Sequence, residues 1–252
     1  MTPQVHRIAV AEGQSLALDW YPVQGGPAAL FVQGLGSTRR GIKARYFAQR
    51  FNDHGWSFAA PDLRGHGDSD GSLLDLTMSG MLADVAAVVN WLEPKTGVRH
   101  PVLIGTSMGG AVIAWHASTH RTSTGPLVML GPSPTFPASL AAGLDGDEMD
   151  RWRRSGARRI TSEWIDVELG HGLVADATRY DPSRLVREHA STTLIVHGMR
   201  DEAVDWRASL EFAHACPAHL VDVLLIARGN HRLTEHRHLV FDVMWSWLRQ
   251  RA

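Results

Sequence analysis

Short apolar runs alternate with longer segments of helical period along most of the chain. Eight runs have the length and composition of strands, and in chain order they read VHRIAVA, LALDWYP, AALFVQG (28–34), SFAAPDL, PVLIG, PLVMLGPSP, TTLIVHG and VDVLLIARG. The first two are joined by EGQS and predict a hairpin. The alternation is typical of βαβ units, so it predicts an α/β fold with a mostly parallel eight-stranded sheet flanked by helices.

The segments between these runs predict the helices. From 79 to 92, apolar residues recur at spacings of three and four: Leu82, Val85, Val89 and Leu92. This recurrence marks the buried face of a helix, and Pro94 predicts its end. Residues 40–54 predict a helix that ends at Gly55, GGAVIAWHAS predicts another, and LVFDVMWSWL predicts the helix that closes the fold.

The alternation stops between 135 and 188. This segment has no run typical of a strand, and its sequence is polar and of helical character, as in DEMDRWRRSGARR and SEWIDVELGHGL. An insertion of about fifty residues is uncommon as plain loop and usually has a function. We therefore predict an inserted helical cap, or lid, over 135–188 and an α/β core over 1–134 and 189–252.

Composition fits an ordinary soluble globular domain. Of the 252 residues 44% are hydrophobic and 20% are charged, and the net charge of −1 argues against a general nucleic-acid binder. Cys216 is the only cysteine, so no disulfide forms within the chain. The sequence shows no secretory signal and no apolar run of about 18 residues, so we expect a cytoplasmic protein without stable membrane association. Its oligomeric state is not indicated.

The stretch LIGTSMGGAVIAW places a hydroxyl between two glycines, after a strand and before a helix. GTSMG matches the G-x-S-x-G turn, in which the serine is exposed above the sheet and the glycines remove Cβ atoms that would collide. Ser107 also begins a helix, where backbone N–H groups favour a developing negative charge. These features predict that Ser107 is a nucleophile rather than a small residue in a structural turn.

A serine hydroxyl is a weak nucleophile unless a base accepts its proton and a third group orients that base. Among 14 histidines, His231 lies directly after the last predicted strand, at the sheet edge where reactive groups collect. Asp201 follows the preceding strand, with Glu202 and Asp205 as rival carboxylates. We predict that His231 is the base and that Asp201 orients it.

Two backbone amides are candidates for the oxyanion hole. One is the N–H of Met108, directly after the predicted nucleophile, and the other is the N–H of Leu35, which lies between two glycines of QGLGST after the third strand. Such donors stabilise the negative charge that forms when a serine attacks a carbonyl.

Three tryptophans are candidates for an apolar substrate pocket: Trp152, Trp164 and Trp206. Five arginines of the predicted cap form either a solvated face or a rim that attracts a carboxylate or a coenzyme A phosphate: Arg151, Arg153, Arg154, Arg158 and Arg159. The histidines near the C-terminus lack the spacing of zinc ligands one helical turn apart, so we expect neither a metal nor another cofactor.

With these loops in place, the chain resembles the α/β-hydrolase superfamily over essentially its whole length. The resemblance rests on QGLG (33–36), RGHGDSDG (64–71), GTSMGG (105–110), HGMRDEAV (197–204) and GNH (229–231). Within it, GIKARYFAQRF, LGPSPTF and DWRASL are similar to a bacterial group of carboxylesterases related to the mitochondrial palmitoyl-protein thioesterase branch. The resemblance implies a serine ester hydrolase with a mobile cap. The chain departs from the commonest pattern at Gln33, where the family often has histidine.

The residues and the resemblance together predict a carboxylesterase that acts on a small-molecule ester through an acyl-enzyme and without a cofactor. Three alternatives stay open. The same residues serve an acyl thioesterase, or a carbon–carbon hydrolase of ring-fission products, for which polar cap residues would hold a dienoate. A non-catalytic ligand receptor that keeps the fold is the third.

Overall fold

The computed structural model describes residues 1–10, 13–120 and 125–251 and shows a large sheet between two layers of helices. The strands in this part of the chain are β1 Gln4–Ala9, β2 Ser15–Tyr21, β3 Ala28–Val32, β4 Ser57–Pro61, β5 Val102–Thr106, β6 Leu127–Leu130, β7 Ala157–Thr161, β8 Asp166–Gly170, β9 Thr193–Gly198 and β10 Val221–Ile226. The α-helices are α1 Ile42–Asp53, α2 Met78–Thr96, α3 Met108–Thr119, α4 Gly146–Ser155, α5 Gly172–Ala177, α6 Pro182–Glu188, α7 Arg207–Ala215 and α8 Arg237–Arg249.

The main sheet has eight strands in the order β1-β2-β4-β3-β5-β6-β9-β10. β2 pairs antiparallel with β1 and β4, and the other neighbours pair parallel. This confirms the predicted fold class, the eight predicted strands and the antiparallel pairing of the first two. The predicted first run ends at Ala11 and the EGQS link begins at Glu12, and both residues lie outside the described part of the chain.

Helices cover both faces of the sheet because its central strands are apolar on both sides. Every residue of β3, β4, β5, β6 and β9 is buried. On one face, α1 and α8 contribute Phe47, Phe51 and Phe241 to the core, and on the other, α2 and α3 contribute Val85 and Trp115. A parallel sheet covered in this way holds the carboxyl ends of its strands in fixed positions.

Two predictions about the elements are wrong. Helix α2 continues through Pro94 to Thr96, because a proline in the last turn removes only one helical hydrogen bond. The helix ends instead at Gly97, whose φ of 71° suits glycine and whose N–H donates to the Glu93 carbonyl at 2.8 Å.

The segment 135–188 is not purely helical. Besides α4, α5 and α6 it contains β7 and β8, which form a separate antiparallel pair. Most residues of these strands are exposed or partly exposed, so their sequences lack the apolar run that identified the strands of the main sheet. The later part of the segment is attached to α2, since Asp176 accepts hydrogen bonds from the N–H and hydroxyl of Ser79 at 2.8 and 2.7 Å.

A search of the described helices for one long and apolar enough to cross a membrane finds none.

Candidate active site

Ser107 lies in the turn between β5 and α3 with φ 51° and ψ −118°, a conformation that residues other than glycine rarely adopt. The neighbouring glycines make this turn possible. A Cβ atom on Gly105 would lie under 3.0 Å from the Gly109 carbonyl, and one on Gly109 would lie under 3.0 Å from the Val32 carbonyl oxygen. The predicted reason for both glycines is therefore confirmed, and the turn presents the Ser107 side chain above the sheet.

The structure brings Ser107, His231 and Asp201 together from the loops that follow β5, β10 and β9. His231 Nε2 lies 3.0 Å from Ser107 Oγ, and His231 Nδ1 lies 2.7 Å from Asp201 Oδ2. The rival carboxylates Glu202 and Asp205 are exposed, and Asp205 caps the start of α7 by accepting the Arg207 N–H at 2.9 Å. The three predicted residues thus form one continuous chain of hydrogen bonds.

The Asp201 carboxylate is fully buried and fully hydrogen bonded. Its Oδ1 accepts the N–H groups of Ala203 and Val204 at 2.9 and 2.8 Å, and its Oδ2 faces both His197 Nε2 and His231 Nδ1. Burial raises the pKa of Asp201, but the hydrogen bonds from His197 and His231 outweigh burial and hold the pKa well below its usual value. Asp201 is therefore an anion at neutral pH and fixes the orientation of His231.

His197 is a second support for Asp201 that sequence reasoning missed. It is fully buried near the end of β9, with Nε2 at 2.9 Å from Asp201 Oδ2 and Nδ1 at 2.7 Å from Ser209 Oγ. Because the carboxylate only accepts, Nε2 donates the hydrogen bond to Asp201, and in a neutral imidazole Nδ1 then accepts the Ser209 hydroxyl. The available signal was a histidine four residues before Asp201, but a lone histidine in an apolar strand is more often a core residue.

The two residues whose amides are predicted to bind the oxyanion line the same cavity as Ser107. Leu35 and Met108 both line it, and the loop that carries Leu35 passes close to the Ser107 turn. A Cβ atom on Gly34 would lie 3.3 Å from Ser107 Cβ. Within the described part of the chain, neither the Leu35 nor the Met108 N–H donates to another group. Their role as oxyanion donors stays a prediction.

Gln33 supports this loop although it replaces the commoner histidine. It is fully buried, and in the amide orientation that satisfies both polar atoms it donates to the Pro61 carbonyl at 2.9 Å and accepts the Leu63 N–H at 2.8 Å. The departure from the family pattern therefore leaves the loop anchored to the end of β4 and to the residues directly after it.

Arg39 anchors the other end of the loop. Its buried guanidinium donates to Asp19 at 2.8 Å, to Asp68 at 2.7 Å and to Asp62, and its backbone N–H donates to Asp62 at 2.6 Å. These carboxylates raise the pKa of Arg39 against the opposing effect of burial. The ion-pair network joins the loop between β3 and α1, which we call the oxyanion loop (33–41), to β2 and to the glycine-rich RGHGDSDG loop.

A cavity of about 500 Å³ opens above Ser107, within the range of about 300–1,000 Å³ usual for small-molecule sites. Trp164 and Ile165, in the turn between β7 and β8, form part of its wall. The structure does not place the other two predicted tryptophans there. Trp152 is buried and donates its indole N–H to the Leu169 carbonyl at 2.9 Å, and Trp206 lies partly buried before α7, with the Arg207 guanidinium 4.5 Å from its ring centre.

The five arginines of the predicted rim also lie outside this cavity. Arg153 pairs with Asp150 at 2.7 Å and Arg159 pairs with Asp166, both at exposed positions. Among the described residues, the basic side chains that line the cavity beside His231 are Lys43 and Arg232 instead. Burial and the nearby Arg232 charge lower the pKa of Lys43 to about 8, with Asp201 opposing them. In the sequence, Lys43 is one of several basic residues near the start of an amphipathic helix, so no pattern identified it as a residue of the site.

Among the described residues there is no group of three or more histidine, cysteine, aspartate or glutamate side chains arranged to hold a metal ion.

The sheet order, the turn at Ser107 and the residues collected at the carboxyl edge define a hydrolase of the α/β type. Residues 27–177 match the family model described as alpha/beta hydrolase fold, and the chain belongs to this family. It is similar to mouse palmitoyl-protein thioesterase ABHD10, mitochondrial, with 27% identity over 83% of this chain and 70% of that protein. It is also similar to a monoacylglycerol lipase of Mycolicibacterium smegmatis, with 25% identity over 98% of this chain and 97% of that one.

Among solved structures, alpha/beta hydrolase domain-containing protein 10 from mouse has the same fold. The two superimpose with a TM-score of 0.85 at 21% sequence identity, over 99% of this chain and 100% of that one.

Proposed function

We propose that this chain is a carboxylesterase in which Ser107, His231 and Asp201 form a catalytic triad. The observation that carries the proposal is the chain of hydrogen bonds from Ser107 Oγ through His231 to Asp201, at 3.0 and 2.7 Å. The unusual backbone of Ser107 adds support, since it is the strained turn that exposes a nucleophile in this fold. The relation to a monoacylglycerol lipase, whose name denotes an ester hydrolase, is consistent with it.

In the proposed reaction, Ser107 Oγ attacks the ester carbonyl while its proton passes to His231 Nε2. Asp201 stabilises the imidazolium that forms, and the Leu35 and Met108 N–H groups stabilise the oxyanion. The intermediate collapses, His231 gives its proton to the leaving alcohol, and the acyl group stays on Ser107. Water then loses a proton to His231 as it attacks the acyl carbonyl, and His231 returns that proton to Ser107 Oγ as the acid is released.

The substrate that we propose is a small-molecule ester bound in the 500 Å³ cavity. We propose that 135–188 is the cap of the site and that 1–134 and 189–252 form the core. Two observations support a cap over the cavity. Trp164 and Ile165 line the cavity, and Ile165 lies close to Gly36 of the oxyanion loop, since a Cβ atom on Gly36 would lie 3.1 Å from Ile165 Cγ2.

An acyl thioesterase is the second candidate. Five relatives at 22–27% identity carry the name palmitoyl-protein thioesterase. The same triad and oxyanion amides would act on a thioester, since the attacked group is again a carbonyl and only the leaving group differs.

A panel of p-nitrophenyl esters with increasing acyl length, measured beside acyl-coenzyme A substrates, distinguishes the two candidates. We expect hydrolysis of the esters and a loss of kcat on the order of 10⁶ in Ser107→Ala, as for other triad serines. Higher kcat/KM for the thioesters would favour the second candidate. A Ser107→Ala variant that keeps most of its activity would contradict both.

A further inference from the structure

The cavity above Ser107 has two basic side chains in its wall, and the Asp201 carboxylate, which partly offsets the charge of Lys43, is already hydrogen bonded to His197 and His231. Lys43 and Arg232 line it, and no aspartate or glutamate is among the described residues of its wall. Lys43 is partly buried, and its ammonium makes no hydrogen bond or salt bridge within the described part of the chain. Arg232 has no carboxylate partner there either, and its guanidinium lies 5.0 Å from the centre of the Trp164 ring.

For Lys43 this arrangement differs from that of Arg39 and Arg64, which are largely buried and paired with carboxylates. Arg39, Arg64 and Arg159 all reach carboxylates, at the core as well as on the surface. An ammonium held away from water without a direct ion-pair partner costs free energy, and accordingly burial and the Arg232 charge lower the pKa of Lys43 although the Asp201 charge raises it. A bound anion would supply the missing charge.

The first turn of α1 adds to the positive electrostatic potential that Lys43 and Arg232 produce in the cavity. Residues 41–44 line the cavity, and this turn has no acidic residue and no side-chain cap. The first helical hydrogen bond runs from the Arg45 N–H to the Gly41 carbonyl at 3.1 Å, so the preceding N–H groups of the helix have no partner within it. The N-terminal end of a helix dipole favours an anion, here beside the Lys43 side chain.

We propose that the site selects esters that also carry a carboxylate, with Lys43 and Arg232 binding the carboxylate while the ester carbonyl lies at Ser107. This inference rests on the proposed hydrolase function. The apolar wall formed by Phe31, Leu35 and Phe136 suits a hydrocarbon segment between the two groups. A substrate carboxylate bound between Lys43 and Arg232 would be paired with both cations, so the filled site would contain no unpaired anion.

Two pairs of matched esters test the proposal. In the first pair the charge is on the acyl side: the mono-p-nitrophenyl ester of adipic acid and its neutral methyl ester. In the second it is on the alcohol side: 4-acetoxybenzoate and its methyl ester. The quantity measured is the ratio of kcat/KM for the anionic member to that for the neutral member, which removes effects common to both.

We expect Lys43→Met to lower this ratio by roughly 10- to 100-fold for at least one pair, as for the loss of one hydrogen bond to a charged group. Lys43→Arg should keep most of the wild-type ratio. Arg45→Gln is the matched control, because it removes a charge from the same helix at an exposed position outside the cavity. It should leave the ratio unchanged.

An unchanged ratio in both Lys43→Met and Arg232→Gln, for both ester pairs, would overturn the inference and leave the proposed hydrolase function intact. Arg232 is exposed, so its substitution provides the test if Lys43→Met does not fold. Absence of Ser107-dependent turnover of any ester would instead overturn the proposed function itself.

Discussion

At the scale of single residues, the site depends on backbone positions as much as on side chains. Ser107 holds a φ of 51°, and the glycines on either side are the only residues that fit beside it. The sequence predicted these positions, because the G-x-S-x-G motif specifies both the turn and the two glycines that it requires. The role of His197 could not be predicted from the sequence. It depends on the distance of 2.9 Å between His197 Nε2 and Asp201 Oδ2, which no rule of sequence spacing gives.

Gly109→Ala tests the close approach at the Ser107 turn. The added Cβ would lie under 3.0 Å from the Val32 carbonyl oxygen, so we expect the turn to shift, with a lower melting temperature and loss of most ester hydrolysis. Gly146→Ala is the control. Nothing lies within 4 Å of a Cβ there, and alanine in place of a helical glycine should be neutral or stabilise by up to about 1 kcal/mol. Equal melting temperatures and activities for the two variants would contradict this account.

At the scale of elements, the strands of the main sheet were predictable and β7 and β8 were not. A strand buried on both faces is apolar throughout, whereas β7 has the sequence ARRIT and no buried residue. β7 and β8 form a local hairpin whose residues are mostly exposed or partly exposed, so the hydrophobic pattern of the sequence did not indicate it. The end of α2 was misplaced for a related reason, because the cost of a proline depends on its distance from the helix end.

The loop between β3 and α1 owes its position to Arg39. Arg39→Met would leave the buried carboxylates of Asp19 and Asp62 without their cation, so we expect a loss of about 3–5 kcal/mol in the free energy of unfolding. Arg40→Met is the matched control, since Arg40 pairs with Asp68 only at the exposed surface and such pairs contribute about 0–1 kcal/mol. Urea denaturation measures both. A loss under 1 kcal/mol in Arg39→Met would show that the network does not stabilise the loop.

At the scale of the whole molecule, the sequence predicted which loops meet and not what fills the space between them. Ser107, Asp201 and His231 follow three parallel strands, so topology alone brings them to one edge. The lining of the cavity depends on how α1 and the β7–β8 turn face it, and this placed Lys43 and Arg232 at the site while leaving Trp152 and Trp206 away from it. The cytoplasmic location, the absence of a nucleic-acid or stable membrane partner, and the absence of a cofactor stay predictions.

The protonated Lys43 side chain should lower the free energy of unfolding of the whole molecule at neutral pH. Its pKa is about 8 in the folded protein and 10.5 ordinarily, because burial and Arg232 outweigh Asp201. Between these values the unfolded chain binds a proton that the folded chain lacks, so the free energy of unfolding rises with pH in this window. The unfolding free energy of Lys43→Met minus that of the wild type should therefore fall as pH rises from about 8 to 10.5.

Chemical denaturation at a series of pH values measures this difference. Arg45→Gln is the control, since arginine does not titrate in this range, and its difference from the wild type should stay constant. A difference for Lys43→Met that is equally flat would mean that the folded protein does not lower the pKa of Lys43.

The central claim is that Ser107 is a nucleophile activated by His231, and covalent labelling tests it most directly. A fluorophosphonate reacts with an activated serine hydroxyl and leaves a stable phosphonyl adduct that mass spectrometry of the intact chain and its peptides can locate. We predict one adduct per chain, on Ser107, with no adduct in Ser107→Ala and much slower labelling in His231→Ala. An adduct on a different residue, or a wild-type chain that stays unlabelled while it hydrolyses esters, would contradict the account.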